Sequence, residues 1–83
     1  MQITVKTGGI LGQYLPDGSE PNRATLTVPD GATPVAVMQI LGMPEEDNYL
    51  VIRNGDLIVR NQRTQVQLRE GDELSLLPPI TGG

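Results

Sequence analysis

Tyr49-Leu50-Val51-Ile52-Arg53-Asn54-Gly55-Asp56-Leu57-Ile58-Val59 reads as two strands folded back on one another. Asn-Gly between two apolar runs is the strongest short-range hairpin signal, because a type I′ turn needs positive φ at both central residues. Tyr49 to Arg53 supplies one arm and Leu57 to Val59 the return. Downstream, Arg69-Glu70-Gly71-Asp72 turns the chain again before Glu73-Leu74-Ser75-Leu76-Leu77, the last strand. Strand alternation sends Leu74 and Leu76 to the core and Leu77 to the opposite face. Pro78-Pro79 then removes two successive ladder donors and sets a stiff, extended stalk.

Upstream of the hairpin, Gln2 to Thr7 alternates polar and β-branched residues, a strand with Ile3 and Val5 inward. Arg23 to Val28 alternates again, with Leu26 and Val28 inward. Between them, Gly8 to Asn22 is an unusually long connection without sustained period. Ile10, Leu11, Tyr14 and Leu15 form a helical turn there that packs back on the core. After the Pro29-Asp30-Gly31 turn, Thr33 is placed to cap a helix and Pro34 to occupy its first position, where a missing N–H costs nothing. Pro34, Val37, Met38 and Leu41 share one face, and Gly42 and Pro44 end the helix. At about two turns it needs a sheet to dock on. Glu45-Glu46-Asp47 reads as a solvated connection, and Arg60 to Gln65 as a polar one.

The order is strand, strand, helix, strand, short strand, strand. The expected fold is α+β: a β-grasp in which one main helix packs on one face of a mixed sheet of four to five strands, with the crossover joining parallel neighbours. Eighty-three residues make one domain. Residues 1–77 are assigned to it, and 78–83 to a flexible C-terminal Gly-Gly tail.

Composition narrows the chemistry. The chain has neither histidine nor cysteine, and Tyr14 and Tyr49 are its only aromatics. Carboxylates and hydroxyls have no imidazole or thiol to work with, which argues against autonomous catalysis. Disulfides and thiolate metal sites are excluded, and no metal site is expected. A net charge of −4 disfavours nucleic acid or an anionic membrane; it suits a partner with a basic docking surface, though charge alone favours the plainer reading that mild acidity aids solubility. No signal peptide or long apolar run stands out, which points to a cytoplasmic protein.

Gly82-Gly83 gains nothing for folding, since glycine loses the most backbone entropy when ordered. A terminus without side chains is suited to threading a narrow slot and placing its carboxylate at a reactive centre. Strand, proline stalk and bare glycines together make Gly83 the working end.

Here the sequence resembles a family. Asn54-Gly55, Gly71-Asp72-Glu73-Leu74 and Leu77-Pro78-Pro79-Ile80-Thr81-Gly82-Gly83 look like the matching motifs of the MoaD/ThiS sulfur-carrier family, a ubiquitin-like β-grasp group. Pro29-Asp30-Gly31-Ala32-Thr33 with the helix ending at Leu41-Gly42 also fits. The ending is closer to the MoaD branch, and the Gly8–Asn22 loop departs from the compact pattern. The resemblance implies that a ubiquitin-activating-type (MoeB/ThiF-like) enzyme, using ATP and magnesium, adenylates the Gly83 carboxylate. A sulfur donor such as a cysteine desulfurase then yields a thiocarboxylate. Residues Pro78, Pro79, Ile80, Thr81 and Gly82 thread the partner's channel. Acceptance of the sulfur falls to a molybdopterin synthase large subunit (MoaE-like) or to another acceptor, and the chain itself binds no cofactor.

The resemblance also places Leu57 and Leu77 in a partner-facing patch, whereas geometry alone equally allows Leu77 to pack under the Gly8–Asn22 loop. Arg53, Arg60, Arg63 and Arg69 read as solvating the sheet in preference to pairing with an acidic partner. Sulfur delivery for thiamine thiazole or tRNA thiolation, and conjugation through Gly83 as a ubiquitin-like modifier, are the alternatives. Lys6 is the only lysine, so copies could link to one another only through Lys6 or the N-terminal amine.

Overall fold

In the first strand, β1 (Gln2–Thr7), alternation buries Ile3, Val5 and Thr7 and turns Gln2, Thr4 and Lys6 to the other face. The computed structural model describes residues 1–44 and 49–78. Among these, β1 is joined in one five-stranded sheet by β2 (Arg23–Thr27), β3 (Leu50–Arg53), β4 (Asp56–Ile58) and β5 (Glu73–Leu77), in the order β2-β1-β5-β3-β4. β1 pairs antiparallel with β2, matching Ile3 to Leu26 and Val5 to Ala24. It pairs parallel with β5, matching Val5 to Leu74 and Thr7 to Leu76. β3 closes the other side of β5 antiparallel, setting Val51 opposite Leu76, and pairs with β4 through the hairpin.

The helix α1 (Pro34–Ile40) begins as its sequence dictates. The Thr33 hydroxyl accepts a hydrogen bond from the Ala36 N–H at 3.2 Å, and Pro34 sits at the first turn. Pro34, Val37 and Leu41 are buried, with Met38 packed alongside in the cluster that holds Ile3, Val5, Leu74 and Leu76. Seven residues would not hold a helix in water, so that docking is what keeps α1 formed.

The crossover departs from expectation. α1 lies in the connection between β2 and β3, which run parallel but are separated by β1 and β5. A helix about 10 Å across spans roughly two strand spacings of about 4.8 Å, so two central strands bury their inward side chains beneath it. The adjacent parallel pair is β1 and β5, joined by most of the chain.

The hairpin turn is as predicted, with φ +50° at Asn54 and +88° at Gly55. Its arms are shifted by a residue: β3 starts at Leu50 and β4 covers Asp56–Ile58. Arg60–Gln62 forms a short 3₁₀ turn within the polar connection. In the long connection, Gly9–Tyr14 is a 3₁₀ segment. Leu11 and Leu15 are buried and Tyr14 packs against the core, but Ile10 is 76% exposed. Three residues per turn put Leu11 and Tyr14 on one face and Ile10 on another. At the base of the loop, the Thr7 N–H donates to the Asn22 carbonyl at 3.0 Å and the Thr7 hydroxyl to Asn22 Oδ1 at 3.1 Å. The acidic stretch Glu45-Glu46-Asp47 lies outside the described residues.

Candidate functional site

One helix covers one face of the sheet, and the register shows what the other face carries. Arg23 of β2, Lys6 of β1, Ser75 of β5, Ile52 of β3 and Leu57 of β4 form a single cross-strand row. Along the same face, Leu77 stands opposite Leu50. The β2–β1 half of this face is polar, with Arg23 and Lys6, and β5 adds Glu73 and Ser75 to it, whereas Leu77, β3 and Leu57 of β4 present apolar side chains. Leu57 is 58% exposed, Leu50, Ile52 and Leu77 are half-buried, and Val59 just past β4 is exposed as well. Side chains opposite one another in neighbouring strands lie about 5 Å apart, so Leu50, Ile52, Leu57 and Leu77 form a continuous apolar patch. Lys6 borders it, with its ammonium 3.2 Å from a Glu73 carboxylate oxygen.

The patch ends where the chain leaves the sheet. Leu77 is the last residue of β5, and Pro78 follows it, half-buried. Just past β1, the Gly8 N–H donates to the Leu76 carbonyl at 3.0 Å, which carries the parallel ladder one residue further. Leu77 therefore has both surroundings proposed for it: it shares a face with Leu57, and its side chain rests against the start of the Gly8–Asn22 loop. Pro79, Ile80, Thr81, Gly82 and Gly83 lie outside the described residues.

A polar knot fixes the other end of β5. Asp72 is buried, and its Oδ2 accepts from Arg53 Nε at 2.8 Å and from the Arg69 N–H at 2.8 Å. Its Oδ1 accepts from Asn54 Nδ2 at 3.0 Å, while Asn54 Oδ1 accepts from the Glu73 N–H at 2.9 Å. Burial pushes the Asp72 carboxyl up, but the Arg69 N–H, the Asn54 amide and the Arg53 guanidinium outweigh it and hold the carboxyl below its ordinary value. Arg53 is thus committed inside the molecule. Arg63 also faces inward, donating to the Tyr49 carbonyl, and burial, with Arg60 nearby, lowers its pKa. Neither serves simply to solvate the sheet.

Among the described residues, no three His, Cys, Asp or Glu side chains are grouped to hold a metal. No helix among them is long and apolar enough to cross a membrane. Sequence reasoning missed Leu50 and Ile52, because Leu50-Val51-Ile52 is apolar throughout and alternation within it is invisible. The signal was available in the opposite strand, whose inward Leu76 pairs with Val51 and leaves both neighbours outward.

Comparison with known proteins places this geometry. The sequence profile of the ThiS family matches residues 17–83. The chain belongs to the ThiS family. This ThiS-family chain is 28% identical over 65 residues to the molybdopterin synthase sulfur carrier subunit of Drosophila melanogaster, covering 74% of this chain and 72% of the relative. In fold it is similar to SAMP1 from Haloferax volcanii, at 23% identity and a TM-score of 0.71 with both chains fully covered. It is also similar to a chain in the complex of subunits 1 and 2 of the molybdopterin-converting factor from Helicobacter pylori, at 23% identity and a TM-score of 0.63, again with both chains fully covered. The ThiS-family chain is therefore a ubiquitin-like β-grasp protein, as its strand order already indicated.

Proposed function

We propose that this chain is a sulfur carrier for molybdopterin biosynthesis, in which residues 1–77 dock on partners and residues 78–83 present the Gly83 carboxylate. The observation that carries the reading is the ThiS-family match extending to residue 83, so that it takes in the tail as well as the domain. The similarity to a molybdopterin synthase sulfur carrier subunit favours this branch over thiazole or tRNA thiolation.

In this reading the carboxylate oxygen of Gly83 attacks the α-phosphorus of ATP, held with magnesium by an adenylating partner, and pyrophosphate leaves. The acyl adenylate exchanges a poor leaving group for AMP. The persulfide of a sulfur donor such as a cysteine desulfurase attacks the carbonyl and AMP leaves, giving an acyl disulfide. A second thiol of the partner then cleaves it, forming a disulfide with the donor's sulfur and leaving a thiocarboxylate on the bare Gly83. Leu57 and Leu77, with Leu50 and Ile52 between them, form the docking patch. The activating enzyme and a synthase large subunit use it in turn. Catalysis belongs to those partners.

The test is mass spectrometry of the chain after incubation with an adenylating enzyme, ATP, magnesium and a sulfur source. Gain of one oxygen-for-sulfur exchange, lost on deletion of Gly83, is the expected result. No exchange with any cognate activating enzyme, or an exchange that survives the deletion, removes the carrier reading.

A further inference from the structure

Gly8 has an ordinary extended backbone, with φ −109° and ψ 143°. Any residue adopts that conformation, so no turn requires glycine here. Glycine in extended structure is instead a liability, since it loses more backbone freedom on ordering than any other residue. The neighbouring Gly9 is the opposite case: its φ is +53° and nothing lies within 4 Å of where a side chain would begin. At Gly8 the demand is for space. A methyl group there would stand 2.8 Å from Leu77 Cδ2, 3.3 Å from Pro78 Cδ and 3.9 Å from Leu77 Cα.

These two residues are the root of the tail. The Leu77 side chain is able to swing aside, but the Pro78 ring is rigid and fixed to the main chain. The Gly8 N–H holds the Leu76 carbonyl at 3.0 Å, so the two backbones cannot separate without losing that bond. A side chain at Gly8 must therefore displace Leu77 on the apolar face, or Pro78 at the exit from the sheet, or both.

We infer that Gly8 is a positioning residue for the tail: its bare Cα lets the end of β1 lie against Leu77 and Pro78 and so sets the point from which residues 79–83 depart. The inference rests on the carrier reading, since it assigns Gly8 a part in delivering Gly83 to the adenylating partner. Pro78 has its φ fixed by its ring, so a turn of that ring at the exit from the sheet changes the direction in which the chain continues. Gly8 acts through Leu77 and Pro78 and touches no reacting atom.

The experiment compares the full chain with Gly8→Ala and Gly18→Ala as substrates of the adenylating partner. Gly18 has φ +86° and open space around it, so alanine there strains the loop without touching the tail root. Gly8→Ala is expected to lower kcat for adenylation about tenfold with KM within about twofold, as misplacement of a reactive group predicts, whereas damage to docking alone would raise KM. Gly18→Ala is expected to leave both constants at wild-type values despite a lower Tm. In parallel, proton NMR of the wild-type chain should show a cross-peak between Gly8 Hα and Pro78 Hδ that weakens in Gly8→Ala.

An unchanged kcat in Gly8→Ala, an equal fall in Gly18→Ala, or a missing wild-type cross-peak overturns the inference. A wild-type chain that is never adenylated while the cross-peak is present overturns the carrier reading instead, and the assigned role of Gly8 with it.

Discussion

Arg53 and Asp72, 19 residues apart in sequence, meet at 2.8 Å and join the hairpin to the start of the last strand. Asp72 is nearly buried and Arg53 less than a third exposed, so water screens the pair only partly. The Arg69 N–H and the Asn54 amide share the same carboxylate. Replacing Asp72 by Ala leaves all three donors short of an acceptor. The expected loss is about 2–3 kcal/mol, or roughly 10–20 °C in Tm for a domain of this size. Thermal unfolding by circular dichroism measures it, and a change under about 3 °C would show the knot to be dispensable.

The same carboxylate gives stability a pH dependence. Its folded pKa lies below the unfolded value, so the unfolded chain binds more protons in that interval and stability falls as pH falls. The contribution is complete above the unfolded carboxylate pKa of about 4 and disappears as pH drops through the lower folded value. Chemical denaturation at stepped pH should show wild-type stability declining more steeply below about pH 4 than Asp72→Asn does, because the amide does not titrate. Parallel curves for the two proteins would assign the acid sensitivity to other groups.

Local signals carried most of the fold. Asn54-Gly55 specified its own turn, Thr33-Pro34 its own cap, and alternation the inward residues of β1 and β5. What stayed hidden depends on neighbours distant in sequence. No reading of Gly71-Asp72 reveals that Arg53 and Asn54 stand beside it, and no reading of Gly8 reveals Leu77. The order of the strands is hidden for the same reason, since β1 and β5 come from opposite ends of the chain. The apolar patch was half legible: Leu57 and Leu77 stood out, but Leu50 and Ile52 became outward only once Val51 was fixed against Leu76.

Hairpin chemistry separates two roles of one residue. Gly55 has φ +88° in open space, so Gly55→Ala costs only the left-handed strain of an L-residue, about 1 kcal/mol. Asn54→Gly tolerates the turn equally well but removes the links to Asp72 and Glu73. That loss is expected to be the larger, about 1.5–2.5 kcal/mol. Urea denaturation ranks the two, and the reverse order would mean that the turn conformation outweighs the side-chain links.

Leu57 tests the proposed docking role of the apolar patch without disturbing the fold. It is 58% exposed on an uncovered face, so Leu57→Lys should change stability by no more than about 0.5 kcal/mol. On the carrier reading it places a charge within the apolar patch and weakens binding to the activating partner about tenfold or more. Titration calorimetry with the purified partner gives the affinity. Equal affinities for mutant and wild type would move the interface elsewhere on the molecule.

Lys6 decides what any self-linked product would look like. The other amine, at Met1, donates to the Val28 carbonyl at 2.9 Å and to Asp30 at 3.3 Å. An amine held by two acceptors must give them up before it can attack a bulky acyl adenylate. Lys6 is half-exposed, with only a surface ion pair to Glu73 worth less than about 1 kcal/mol. Should the activated Gly83 acylate a second copy, the new amide therefore forms at Lys6 Nζ, with AMP leaving and the amine losing a proton. Trypsin cuts after Arg69, so the digest would carry residues 70–83 as a branch on the Lys6 peptide. Lys6→Arg is expected to abolish every such species while leaving the thiocarboxylate yield unchanged. A branch found on the Met1 amine instead would mean that the N-terminal contacts open readily. Because Lys6 stands in the same cross-strand row as Leu57, a copy attached there would lie over the apolar patch, and on the carrier reading the linked species should compete poorly for the activating partner.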